Sequence, residues 1–223
     1  RPAAPDASEM AAGFTSRGFF EFIEMVNTST GPIELAGLTF SAGIDFDFDN
    51  GSISQLLPGQ RLLVISNHAA FELRYGAGLP IAGSFANATS LDNGGERLTL
   101  LDAEGNPVFN LRYRDDPPWP EEADGDGYSL VFSANFGNGD PGTAINWRAS
   151  RDIGGNPGVA DSVSIDAWRS SRFSPAEIAS PLISGNEADP DGDGLTNLEE
   201  YETGTNPNSA DTDGDGTDDA DDP

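Results

Sequence analysis

No cysteine occurs in the 223 residues. Disulfides, thiol nucleophiles and zinc–thiolate sites are thereby excluded, while an oxidising compartment is neither required nor ruled out. Lysine is missing too, so all 11 basic residues are arginine. No apolar run approaches the roughly 20 residues of a membrane-spanning helix. The chain opens at Arg1 with neither Met nor a signal-like apolar stretch, which reads as a processed or trimmed form. His68 is the only histidine. A Ser–His–Asp site would have to use it, yet no activating pattern stands near, and the expected role is a surface or helix-start residue.

Acidity dominates what is present. The formal charge is −27. A chain this acidic repels nucleic-acid phosphate and anionic membrane surfaces, so neither nucleic-acid binding nor membrane insertion is expected. It invites cations instead. From residue 187 to the end there are 14 acids and no base. Charges packed so densely repel unless something neutralises them.

Gly (27) and Pro (16) are plentiful, as suits a turn-rich all-β body. Residues 1–8 read as a linker-like start. A β body follows over 9–159. FFEFIEMV (19–26) is expected as a buried strand, and IELAGLTF (33–40) as another, interrupted at Gly37. Residues 44–48 alternate, with Ile44, Phe46 and Phe48 on an apolar face and Asp45 and Asp47 on the other. RLLVIS (61–66) reads as a core strand, and 68–76 as a helix closed by Gly76. RLTLLD (97–102) and PVFNLRY (107–113) flank AEGN, a hairpin signal. YSLVFS (128–133) and AINWRAS (144–150) complete the set. Many short strands argue for a mainly β, immunoglobulin-like β-sandwich. Residues 160–223 form a separate segment, a short helix bearing Ile165, Trp168 and Phe173 followed by two Asp-rich loops.

The chemistry lies in those loops. A twelve-residue calcium loop needs oxygen ligands at positions 1, 3 and 5, a carbonyl at 7, a polar group at 9, a bidentate carboxylate at 12 and Gly at 6. DPDGDGLTNLEE (189–200) supplies Asp189, Asp191, Asp193, Leu195, Asn197 and Glu200, with Gly194 at the turn. DTDGDGTDDADD (211–222) supplies Asp211, Asp213, Asp215, Thr217, Asp219 and Asp222, with Gly216 at the turn. Two matches in register are hard to obtain from acidity alone, although an acidic disordered tail is the plain alternative. Magnesium fits less well, because it keeps its waters and takes few carboxylates. About two calcium ions are expected, the first loop self-contained and packed on the Trp168 helix, the second closing only at Asp222. Both together would take the charge from −27 to roughly −23.

This tail resembles the thrombospondin type 3 repeat, and its first loop with flanking helices resembles an EF-hand or dockerin-like unit. Such resemblance implies a structural metal in a secreted protein. The body resembles the bacterial lamin-tail domain over about residues 9–159, through EFIEMVN (21–27), GLTFSAGIDFDF (37–48), LLPGQRLLVISNHAAFELRYG (56–76), SLDNGGERLTLLDAEGNPV (90–108) and RYRDDPPWPEEADGDGYSL (112–130) in order. That resemblance implies an immunoglobulin-like sandwich in secreted or surface proteins, and it brings no catalytic residues.

The expected function is therefore a non-enzymatic, extracellular, calcium-binding structural or adhesion module, in a surface or extracellular assembly. Self-association or a surface protein or glycan would supply the partner. The alternative is a glycan-binding or tethering accessory module of a larger secreted hydrolase, with Trp119 or Trp147 as a stacking surface. Asp45, Asp47 and Asp49 are read first as a solvated face, with a further calcium site as the alternative. Asp124 and Asp126 could ligate calcium, but Gly125 and Gly127 suggest a tight turn first. Sequons at Asn27, Asn50 and Asn87 are too near chance frequency to inform.

Overall fold

Alternating and clustered apolar residues find their partners in several small sheets. In a computed structural model, residues 1–132, 140–161, 165–212 and 216–221 are described. The chain divides into two compact units, Arg1–Asp161 and Ser162–Pro223. The first is mainly β. Its strands are β1 (Phe22–Val26), β2 (Ile33–Glu34), β3 (Thr39–Ala42), β4 (Phe46–Asp47), β5 (Gln55–Leu56), β6 (Arg61–Ile65), β7 (Ile81–Ser84), β8 (Arg97–Leu101), β9 (Pro107–Arg112), β10 (Leu130–Phe132) and β11 (Trp147–Ala149). Helices α1 (Ala7–Ala11) and α2 (His68–Tyr75) accompany them.

A four-stranded sheet runs β4-β3-β8-β9, and a three-stranded one β1-β6-β7. Two-stranded pairs join β2 to β5 and β10 to β11. Most pairings are antiparallel, but β6 and β7 are parallel. Parallel neighbours need a crossover, and α2 supplies it. Asn67 caps α2 by accepting from the Ala70 N–H, and Gly76 closes it at φ 87°. The main core gathers Phe40, Ile44, Phe46, Phe48, Leu62 and Val64, with further apolar residues around them. Leu63, Ile65 and Phe71 form a second cluster on the α2 side.

The strand expected at 19–26 begins later. Residues Arg17–Phe20 make a 3-10 turn capped by Ser16, and only then does β1 start. The interruption expected at Gly37 is there: at φ 76° it separates β2 from β3. The first eight residues are not a linker. Asp6 and Glu9 form a capping box at α1, Pro2 bridges to Gly127, and the Glu9 carboxylate grips Arg74 at 2.7 Å. The Arg74 guanidinium also lies 3.4 Å from the centre of the Phe20 ring. A buried, doubly bonded ion pair fixes the segment that composition alone marked as loose.

Other expectations resolve locally. Asp45 accepts from Asn87, Asp47 from Asn50 and the Asp49 N–H, and Asp49 from the Gly37 N–H. These carboxylates tie turns together. Trp119 is 5% exposed and packs in the main core beside Trp147, so it is no platform. His68 is exposed at the first position of α2. Gly125 and Gly127 take φ 115° and 91°, the tight turn expected there, while Asp124 pairs with Arg1 at 2.8 Å.

In the second unit, α3 (Ile165–Arg172), α4 (Pro175–Ile178) and α5 (Pro181–Ser184) precede the first acidic loop, and α6 (Asn197–Thr203) begins at its ninth position. Prolines open α4 and α5 at a position where their missing N–H costs nothing.

Candidate metal centre

The first acidic loop is built by its own side chains. Asp189 accepts from the Gly192 N–H at 2.7 Å through Oδ1 and from the Gly194 N–H at 3.2 Å through Oδ2. Asp193 accepts from the Leu195 N–H at 2.7 Å. Gly192 and Gly194 stand at φ 81° and 104°, conformations that other residues reach only at a cost. The chain then enters α6 through a capping box, in which Thr196 accepts from the Glu199 N–H and Glu199 accepts from the Thr196 N–H. Gly204 ends the helix in the left-handed region.

This folding brings three expected ligands together. One carboxylate oxygen each from Asp189, Asp191 and Asp193 lies within 4.8 Å of the others. Exposed acids gather without any ion often enough that the cluster alone decides little. The neighbours below it decide more. Glu200 and Asn197 are fully buried. Asn197 Nδ2 donates to the Ile183 and Gly185 carbonyls, both at 2.8 Å, which leaves its Oδ1 without a partner. Asp191 Oδ2, Asp193 Oδ2 and both Glu200 carboxylate oxygens are also buried and unpartnered. Five such oxygens in one loop contrast with the rule that buried acceptors find donors.

Electrostatics agree. Burial, first, and then the charges of Asp191, Asp193, Asp219 and Asp189 push the Glu200 carboxyl up to about 8. Burial foremost, with Asp193 and Asp189 adding to it, raises Asp191 as well. Helix α3 forms the floor. Trp168 is buried, its ring 5.8 Å from Tyr201 and 6.1 Å from Phe173, both edge-on. Tyr201 follows Glu200 directly, so this aromatic contact ties α6, which carries the carboxyl, to α3.

The second loop repeats the first where it is described. Gly216 donates to Asp211 Oδ2 at 2.9 Å, as Gly194 does to Asp189. The Asp219 N–H donates to the Ala210 carbonyl at 2.8 Å, as Asn197 does to Ala188. Gly216 sits at φ 98°. Asp219 holds Thr212 through both oxygens, and Thr217 is exposed. Asp213, Asp215 and Asp222 lie outside the described residues. Position nine is thus a brace in both loops, a role that reading it as a ligand position missed. The sequence signal was there for Asn197, whose amide can donate twice while an oxygen stays over.

A depression in the first unit is lined by Asp115, Glu121, Glu122, Asp124 and Asp126. It is open, and Arg1 already neutralises Asp124.

Two comparisons bear on the chain. The model of the Lamin Tail Domain family matches residues 4–115. That span is shorter at its far end than the resemblance over 9–159, and the acidic loops lie beyond it. No curated protein matches the sequence.

Proposed function

The chain belongs to the lamin tail domain family, and from that premise we propose that it is a non-enzymatic, calcium-stabilised structural or adhesion module of a surface or extracellular assembly. Lamin tail domains are immunoglobulin-like folds that generally carry no catalysis, which supports a rigid, noncatalytic body. The metal reading rests on one observation, the five buried, unpartnered oxygens of loop 189–200. Leaving such groups unpaired costs several kcal/mol. A calcium ion would meet the carboxylates of Asp189, Asp191, Asp193 and Glu200, the Leu195 carbonyl and Asn197 Oδ1, a hard-oxygen set of the size calcium takes. The repeated bracing of loop 211–222 supports a second ion. Likeness to EF-hand, dockerin and thrombospondin type 3 loops belongs to this same proposal.

Calcium binding would supply folding free energy to a unit that has little core of its own. The experiment is calorimetry with calcium after chelator treatment, with proteolysis of the second unit in both states. About two ions per chain and a protected second unit are expected. No heat of binding, or equal cleavage with and without calcium, would sink the reading. The glycan-binding alternative loses Trp119, which is buried in the core, and keeps Trp147, which is half-buried.

A further inference from the structure

Arginine is scarce in this chain, and most of it is engaged. Arg61, Arg74, Arg148 and Arg169 pair with carboxylates. Arg1 pairs with Asp124, and Arg17 donates to backbone carbonyls. Three others gather on one face of the four-stranded sheet. Arg97 of β8 stands directly opposite Arg112 of β9 in the antiparallel register. The Tyr113 N–H donates to the Glu96 carbonyl, so the ladder continues past the strand and Arg114 follows Arg112 on its side. Gly95 keeps the chains close there, because a Cβ would fall 2.6 Å from the Arg114 Cα.

Leu98, Leu100 and Leu111 face the core, which turns Arg97, Asn110 and Arg112 outward. All three arginines are exposed. Arg97 donates to Asn110 at 2.9 Å, while the side chains of Arg112 and Arg114 make no ion pair or hydrogen bond among the described residues. Like charges directly opposed across strands are destabilising. Here that happens in a protein with 38 acids to draw on. A local rule is broken although the composition made it easy to keep, and such places tend to be functional.

β9 is also an edge strand of its sheet, with Val108 59% exposed. The arginines would repel an identical β9 brought alongside, so edge-to-edge pairing with its own kind is disfavoured. An anionic occupant is favoured. The chain carries one, since residues 187–223 hold 14 acids and no base.

We propose that Arg97, Arg112 and Arg114 form a docking surface for the acidic C-terminal segment of a second copy of this chain. Such a contact is head-to-tail, joining different patches on the two copies, and it builds open chains or rings. At about 0.15 M salt the Debye length is about 8 Å. Repulsion between two net-negative molecules is then largely screened, whereas charges in contact still attract.

Sedimentation of the full chain tests this, with chelator present so that calcium filling does not enter. Concentration should run from micromolar to near-millimolar at about 0.15 M salt. Concentration-dependent association is expected, weakened at least about tenfold by R112E together with R114E. Raising salt to about 1 M should weaken it similarly. Arg172 is exposed on the second unit and makes a charge control; R172E should leave association unchanged. A monomer throughout overturns the proposal. So does association that survives the double charge reversal, or that R172E weakens equally. A wild-type monomer that binds heparin through Arg112 and Arg114 also overturns it, in favour of a foreign anionic polymer.

Discussion

If loop 189–200 holds calcium as proposed, an ion titrated in at pH 7 would meet Glu200, a carboxyl that burial and four neighbouring aspartates push up to about 8. At pH 7 such a group is about nine-tenths protonated. Calcium takes the carboxylate, so binding must expel the proton. The first loop should therefore release about 0.9 protons per ion at pH 7, about 0.5 at pH 8 and about 0.1 at pH 9. Apparent affinity should weaken about tenfold for each pH unit below 8 and level off above it. Calorimetry in two buffers of different ionisation enthalpy reads the proton count directly. E200Q should abolish the release and weaken binding at the first loop. Equal enthalpies in both buffers at pH 7 would refute the reasoning, because Glu200 would then already be ionised.

The same carboxyl governs stability without calcium. In the unfolded chain it ionises near the ordinary 4.5, and in the folded unit near 8. Below both values the proton is bound in either state and pH has no effect through this group. Between them the folded form keeps a proton that the unfolded form has shed. Stability of the calcium-free second unit therefore falls as pH rises from about 4.5 to about 8, then stays flat above it.

Three other perturbations are worth making. A88G should stabilise the first unit by about 1 kcal/mol in denaturant unfolding, because Ala88 sits at φ 55° in a tight turn where the Thr89 N–H meets the Ala86 carbonyl. R74A should destabilise the first unit by about 3–5 kcal/mol, leaving Glu9 buried and unpaired; Arg74 foremost holds the Glu9 carboxyl below its ordinary value, so this pair's contribution is present at neutral pH and fades as Glu9 protonates in acid. N197A removes two donors from the Ile183 and Gly185 carbonyls and should cost the second unit about 1–3 kcal/mol in thermal melts with chelator.

Local patterns made much of the fold legible. The 44–48 alternation named its buried face correctly, because period two admits only one assignment once Phe46 is inside. The Asn67 cap and Gly76 bounded α2 for equally local reasons. The parallel pairing of β6 and β7 was not foreseen, although a helix between two strands is the usual sign of it. Arg97 opposite Arg112 was deducible from the hairpin register, but only by asking what the outer face carries. The N-terminal segment escaped because its order comes from Arg74, which is 65 residues away from Glu9 in sequence. At the candidate metal centre, loop spacing suggested ligand types, and that is all spacing can do. The burial of Glu200 arises from packing of α6 within the second unit, which spacing cannot report. Trp119 was ambiguous for the same reason.

The bracing of the acidic loops has a consequence for how the chain can change length. Each loop closes through its own first, sixth and ninth positions and the residue just before it. A stretch that carries its own fasteners can be duplicated or deleted as a block. Gain or loss of one loop would then change the second unit by one whole repeat, with the bracing pattern of the other left complete.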